Sequence, residues 1–499
     1  MPYASVSSSS SSSSLSLAFT ILQCSMFAVV PIYYLGSGVL GVGERRRGRR
    51  VGGRGIGSEH PSKALHEGCI YLDYNATTPI FPEVSAAMQP FTLTEFGNPS
   101  SPHIYGRGCN DAVKKARASV ARLIGAKEAS EVVFTSCGSE SDNRAVDIAI
   151  HAYHQSTLTS SGVKPHIVTC SIEHPAILVY LQSLENVGKI ELTIVRVNEE
   201  GLVSAGDIQK ALQNNTCLVT VMHSNNEVGS IQPIADIAKE IKMFNERKSS
   251  AGNDSMHKVL FHSDAAQSIG KVRVDVGVLG VDMLTVVGHK FGAPKGIGAL
   301  YMKSELKPIV MSQPLLSGGG QEFGLRAGTE NVILIVALGE ASKLALEESK
   351  ALLRHMLSLK KKLIVSLTAR CGMLVPHRFN GPKGESSIER IEEMLHDHTN
   401  CSSLKQLPNT VSVSFCGLKV HEVIPQLLNT VAVSAGSACH AGQQGMSGVL
   451  KAMNVPVEYG LGTFRISVGR HTTEDEVDKA TDLIAMAMMK ILKCENKVH

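Results

Sequence analysis

From Tyr71 onward, short apolar runs alternate with longer stretches in which apolar residues recur every three or four positions. The runs EVVFTS (131–136), HIVTC (166–170), TCLVTVMH (216–223), KVLFHSDAA (258–266) and VDMLTVVGHK (281–290) are short, rich in β-branched residues and almost continuously apolar. That pattern predicts strands buried on both faces. CNDAVKKARASVARLIG (109–125) instead carries its apolar positions on one stripe, which predicts a helix. Strands alternating with helices predict an α/β domain built on a mostly parallel mixed sheet with helices on both faces. Ligands of such sheets bind beyond the carboxyl ends of the strands. Five polar clusters fall at those ends: Cys137 to Asn143, Ser171 to His174, Ser224 to Glu227, Asp264 to Gln267 and Gly288 to Lys290.

After Asn331 the pattern turns helical through ALGEASKLALEESKALLRHMLSLKKKLIVSL and crosses to a second, smaller α+β domain. That domain holds the strand NTVSVSF (409–415), the loop SAGSACHAG and the closing strand TFRISVG. The expected division is a large domain over 69–330 and a small, C-terminal one over 331–499 with a mobile cysteine loop. The segment near 69–85 is expected to pack with the small domain. Residues 376–406, charged and irregular, read as an insertion.

The first 68 residues differ. A serine run (Ser7 to Ser14) precedes an apolar stretch, Leu15 to Gly43, without a charge, and then ERRRGRR. Such a leader fits an organelle transit peptide, a bilayer-spanning segment or a segment with no folded role. Pro31 and the glycines after Leu35 weaken the spanning helix. The destination expected is an organelle (mitochondrion or plastid) or the cytoplasm, and membrane association is not expected of the catalytic domain. Charge sharpens this division. Residues 1–68 carry six arginines and one lysine against three glutamates, and so hold the whole net charge of +4. The remainder balances 42 basic against 42 acidic side chains. A nucleic-acid binder carries its excess charge on the folded domain, so that class is set aside. Eleven scattered cysteines with no C-x-x-C indicate mostly buried thiols in a reducing compartment and no zinc site.

Chemistry concentrates at the strand ends. Lys290, in VVGHKFGAPKG, is unremarkable alone, and an imine-forming lysine needs a cofactor and a lowered pKa beside it. Asp264 directly follows an apolar strand; it suits a helix N-cap as well as a partner for a cofactor's ring nitrogen. Gln267 lies three residues on, on the same side of a helical turn. TSCGSESDN (135–143) opens a helix with small residues, as a phosphate cradle or an ordinary capped start would. His174 in SIEHPA serves either as a cap or as a proton shuttle. Cys439, in its Gly/Ala/Ser-rich loop beside His440, has the access a nucleophilic thiol needs.

Taken in order, YLDYNATTP (71–79), GNPSSPH, TSCGSESDN, SIEHPAI, NNEVGSIQP, HSDAAQSIGK, GHKFGAPKGIGALY, GGGQEFGLRAGTEN, LPNTVSVSF, SAGSACHAG and RISVGRHTTEDEVD (465–478) resemble the class V aminotransferase-like cysteine desulfurases of the NifS type and their selenocysteine lyase relatives. The resemblance implies a pyridoxal-phosphate-dependent transferase fold of type I. It implies that Lys290 holds pyridoxal 5'-phosphate, that Asp264 pairs with its ring nitrogen and that Gln267 bonds its ring hydroxyl. His174 would stack on the ring as acid and base, and Gly138, Ser139 and His289 would hold the phosphate. Thr329 would reach the phosphate in a neighbouring subunit, which implies a homodimer. Asn226 and Arg465 would hold the substrate carboxylate, and Cys439 would take the sulfur as a persulfide for an acceptor protein. The implied substrate is L-cysteine, with L-selenocysteine the alternative. A non-catalytic scaffold and an ordinary aminotransferase of the same fold are the other readings. The chain departs from the family at Val287, where serine is usual, at Cys137 to Ser139, and at Gly292-Ala293-Pro294. Val287 is similar to the selenocysteine lyase branch.

Overall fold

The computed structural model describes residues 56, 60, 68–156, 162–250, 257–314, 316–384, 389, 404–435 and 445–495. All fall in the unit Gly53–His499. The serine run, the apolar stretch and the arginine cluster lie outside the described residues, as do Cys439 and His440.

The chain enters the fold through a two-residue strand, β1 (Ile70–Tyr71). Seven strands then build the central sheet: β2 (Val132–Thr135), β3 (His166–Cys170), β4 (Glu191–Val195), β5 (Thr216–Thr220), β6 (Leu260–Asp264), β7 (Met283–Val287) and β8 (Gly298–Met302). Their order is β2-β8-β7-β6-β5-β3-β4, and all run parallel except β8, which is antiparallel to both neighbours. The five apolar runs of the sequence are β2, β3, β5, β6 and β7, and each is buried along its length. Side chains alternate between two cores, as the two-residue repeat of a strand requires. Val132 and Phe134 face one core with helices Ile104–Leu123, Ile234–Ser250 and Val332–Glu347; Val133 faces the other with helices Gly138–Ser156 and Pro175–Asn186.

A third core surrounds a small antiparallel sheet of β9 (His377–Asn380), β10 (Thr410–Phe415) and β12 (Thr463–Ser467), in the order β12-β10-β9. Helices Ser349–Arg370 and Glu474–Glu495 contribute to that core and pack against each other. β11 (Val431–Ala432) pairs in parallel with β1. Two expectations are corrected. The stretch read as one irregular insertion, 376–406, begins as β9, because Asn380 Nδ2 donates to the Ser412 and Ser414 hydroxyls and fixes that register. The stretch read as one helix after Asn331 is two, Val332–Glu347 and Ser349–Arg370, divided at Glu348 where ψ relaxes to 0°. Among the described residues no helix is long and apolar enough to cross a membrane.

Candidate active site

β2, β3, β5, β6 and β7 all point their carboxyl ends to one edge of the sheet, and the polar clusters after them meet there. Lys290 ends the turn Gly288–Lys290 that follows β7. Its Nζ donates to the carbonyl oxygens of Asn75 and Ala76, each at 2.8 Å. The segment Asn75 to Thr78 is strapped across this turn. Thr78 N–H donates to the His289 carbonyl at 2.8 Å, Gly292 N–H donates to Thr78 Oγ1 at 2.8 Å, and His289 Nδ1 lies 3.1 Å from Thr77 Oγ1. Burial, with the charges of Lys290 and Lys295, pushes the His289 imidazole down to about 4, so it is neutral near pH 7.

Asp264 is the last residue of β6 and is 7% exposed. Its Oδ1 accepts the Ala266 N–H at 2.8 Å, so it caps the turn as well as facing the site. Burial pushes its carboxyl up, against the Ala266 N–H and the charges of His174 and Lys290. His174 is likewise a cap: its Nδ1 accepts the Ala176 N–H at 3.1 Å at the head of helix Pro175–Asn186. Burial and Lys290 push its imidazole down, while Asp264 pulls the other way. The structural reading of each residue is therefore true, and both still converge on Lys290. Gln267 donates from Nε2 to the Asn75 carbonyl at 2.9 Å, beside Lys290 on the same oxygen.

Gly138 opens helix Gly138–Ser156 against the end of β7; a Cβ there would stand 2.6 Å from Val287 Cγ2. Ser139, next along, is exposed. Arg465, on β12, is 1% exposed. Its Nη2 donates to Asp73 Oδ1 at 2.7 Å and to Ser434 Oγ at 3.1 Å, and its Nη1 to the Asn226 carbonyl at 3.2 Å. Its Nε has no partner among the described residues. A buried guanidinium with an unused N–H suits an acceptor brought by a ligand. Thr329 is exposed on the segment before helix Val332–Glu347 and makes no hydrogen bond to this cluster. Cys439 lies outside the described residues, although Ser434, close before it, reaches Arg465.

Some of the machinery was not singled out from the sequence. Asn75 is its hub: besides its carbonyl, its Oδ1 accepts from Lys271 and Asn409, and its Nδ2 donates to Thr410 Oγ1 and the Asn226 carbonyl. Behind Asp264 lie two further enclosed carboxyls. Glu173 Oε1 accepts from Cys170 Sγ and from the Met222 N–H, and burial pushes the group up to about 8. Asp142 is pushed well above the carboxylate range by burial and by Asp264. Both lay inside quoted motifs, Glu173 three residues past β3 and Asp142 in the first turns of helix Gly138–Ser156, where an acidic residue reads as solvated or capping.

An amine, an enclosed carboxylate, an imidazole and a helix N-terminus at one strand edge define a cofactor-dependent enzyme of the α/β class. Comparison with known proteins agrees. Residues 70–385 match the profile of the class-V aminotransferases. Selenocysteine lyase of Rattus norvegicus is 38% identical over 445 residues, covering 86% of this chain and 95% of that protein. Cysteine desulfurase IscS of Dictyoglomus turgidum is 36% identical over 423 residues, covering 85% and 95%. A solved NifS-like protein superposes with a TM-score of 0.69 at 32% identity, covering 85% of this chain and all of that one. The chain belongs to the class-V aminotransferase family, and within it to the enzymes comprising the NifS-like cysteine desulfurases and selenocysteine lyases.

The family uses pyridoxal phosphate. That group asks for a primary amine for its aldehyde, a carboxylate for its ring nitrogen and an anion site for its phosphate. Lys290, Asp264 and the start of helix Gly138–Ser156 are such groups on one edge of one sheet, so the donor set fits.

Proposed function

We propose that the chain removes sulfur from L-cysteine, releasing L-alanine and leaving the sulfur as a persulfide on Cys439 for an acceptor protein. The observation that carries this reading is the convergence of Lys290, Asp264 and His174 at the carboxyl ends of β7, β6 and β3 on one edge of the sheet. Pyridoxal phosphate, when bound, supplies a ring that withdraws electrons from the substrate's α-carbon. Lys290 would hold it, Asp264 would keep its ring nitrogen protonated, and Gln267 would bond its ring hydroxyl. Gly138, Ser139 and His289 would take its phosphate, joined by Thr329 of a second subunit in a homodimer. Arg465 and Asn226 would orient the substrate carboxylate. Released from its carbonyls, the Lys290 amine, or His174, would take the α-proton. The Cys439 thiolate attacks the substrate sulfur. One S–S bond forms as the C–S bond breaks, and the thiol proton ends on alanine, so the sum is cysteine and thiol to alanine and persulfide.

Selenocysteine is the second reading. Val287 at the end of β7, with the likeness to the rat selenocysteine lyase, favours it. Alanine, sulfide and selenide release from both amino acids by the purified protein and its Cys439→Ala and Lys290→Ala variants tests both. Cys439→Ala should abolish alanine release from cysteine and spare that from selenocysteine, whose weaker carbon–selenium bond needs no thiol. Alanine from cysteine at an undiminished rate in Cys439→Ala would overturn the persulfide step. Alanine from neither substrate in the wild type would overturn the enzyme.

A further inference from the structure

Lys271 lies at the end of the turn that follows Asp264 and is 7% exposed. Its Nζ donates to two amide oxygens, Gln267 Oε1 at 2.9 Å and Asn75 Oδ1 at 3.1 Å. Burying an ammonium against neutral acceptors is costly, because neither acceptor returns the solvation of the charge. The position of those acceptors gives the lysine a use. The Gln267 amide, held by Lys271 at its oxygen, donates from its nitrogen to the Asn75 carbonyl, and the Lys290 amine donates to that same carbonyl. Lys271 and Lys290 also line one cavity, with Thr78 and Asn409.

We propose that Lys271 is a positioning residue for Lys290: through Asn75 and Gln267 it fixes the carbonyl on which the Lys290 amine rests, and its charge beside that amine favours the neutral, nucleophilic form. A second cation close to a lysine is one of the ways such an amine is activated. Burial and the charges of Lys290 and Arg465 push Lys271 down as well, so the two amines compete for a proton and the one that holds it favours the neutral form of the other. The repulsion between the two lysines is mutual. The other groups facing Lys290 are Asp264 from β6, His174 after β3 and His289 on its own turn. An ionised Asp264 favours a proton on the amine, and a charged Lys271 opposes it.

The inference rests on the reading of Lys290 as the cofactor lysine. It is tested on the full chain stripped of cofactor, by competitive acylation from about pH 6 to about pH 10 with Lys290 labelling read by peptide mass spectrometry. In Lys271→Met the labelling midpoint should rise by about one pH unit, roughly a tenfold loss of Lys290 reactivity near neutral pH. Lys271→Arg, always charged, should keep the wild-type midpoint or lower it. A Lys271→Met profile that superimposes on the wild type in a natively folded protein overturns the proposal. Should Lys271→Met fail to fold, a raised midpoint in Lys271→Arg overturns it instead. Borohydride trapping of pyridoxal phosphate on the wild type keeps the two readings apart: a tag on a lysine other than Lys290 would sink the proposed function, whatever the Lys271 variants do.

Discussion

At the scale of single residues, the site is a set of groups held away from their ordinary protonation. Glu173 is the clearest. A glutamate ordinarily titrates near 4.5, and burial in the fold raises this one to about 8. Between those values the unfolded chain has released the proton that the folded chain still holds. The stabilisation is therefore complete below about pH 4.5, falls as pH rises, and is gone above about pH 8. Glu173→Gln keeps the shape and cannot ionise. Relative to the wild type it should gain on the order of 3 kcal/mol between mildly acidic and mildly alkaline pH. Thermal melts of both proteins across that range check this, and parallel curves would refute it. The legibility of the site follows the same physics. Lys290, Asp264, Gln267 and His174 were visible only as a set, because each alone suits an ordinary cap or solvated position and their weight came from falling together at the strand ends, in motifs that follow one another in a family's order. Lys271 and Asn75 were not, since a lysine closing a turn and an asparagine in a coil read as solvated surface until the packing encloses them.

At the scale of elements, hydrophobic runs announced five strands of the sheet because those strands are buried on both faces. β4 escaped because it is partly exposed: Glu191 and Ile194 face solvent, and the buried run is not continuous, whereas β2 at the opposite edge is buried along its length. β8 escaped because its GALYM follows a glycine-rich stretch that reads as loop. The turn Glu322–Gly324 was also silent, since its conformation is imposed from outside. Glu322 and Phe323 adopt left-handed φ of 49° and 60°, which side chains other than glycine resist. What holds them is a buried fork: Arg117 donates from Nη1 and Nη2 to Glu322 at 2.6 and 2.7 Å, and the Phe134 N–H donates to the same carboxylate at 2.9 Å. A glutamine offers one acceptor where three donors converge, and it leaves the Arg117 charge enclosed. Glu322→Gln should therefore cost about 3 kcal/mol. Urea denaturation measures this, and proteolysis near Arg326 should speed up with it. A loss below about 0.5 kcal/mol, the usual effect at an ordinary surface site, would show that the fork does not hold the turn.

At the scale of the whole molecule, the site is assembled from both sides of a junction. Lys290, Asp264 and His174 come from the seven-stranded sheet, while Arg465 and the Asn75 partners Asn409, Thr410 and Ser467 come from the three-stranded one. The two parts must unfold together if the site is to survive as a unit. Arg470 is placed to enforce this. It follows Val468 of the small core, yet its guanidinium forks onto Glu83 at 2.9 and 3.0 Å in helix Pro82–Leu93, whose Val84 packs in the large core. It also donates to Glu348 at 2.6 Å, at the division between the two long helices, and lies 4.6 Å over the ring of Phe81. Removing the cation takes the fork from Glu83 and the partner from Glu348, a loss of about 3 kcal/mol. The cost falls on the contact between the cores rather than inside either. Arg470→Met, which keeps much of the stem, should lower the melting temperature and also split one calorimetric transition into two. Substrate affinity should fall with it, because Arg465, proposed to hold the substrate carboxylate, sits on the part that loosens. A single transition shifted down intact would mean that the cores are joined chiefly by apolar contact and by Asn75. In that case Asn75→Ala, which removes one hydrogen bond each from Lys271, Asn409 and Thr410, should produce the split that Arg470→Met does not.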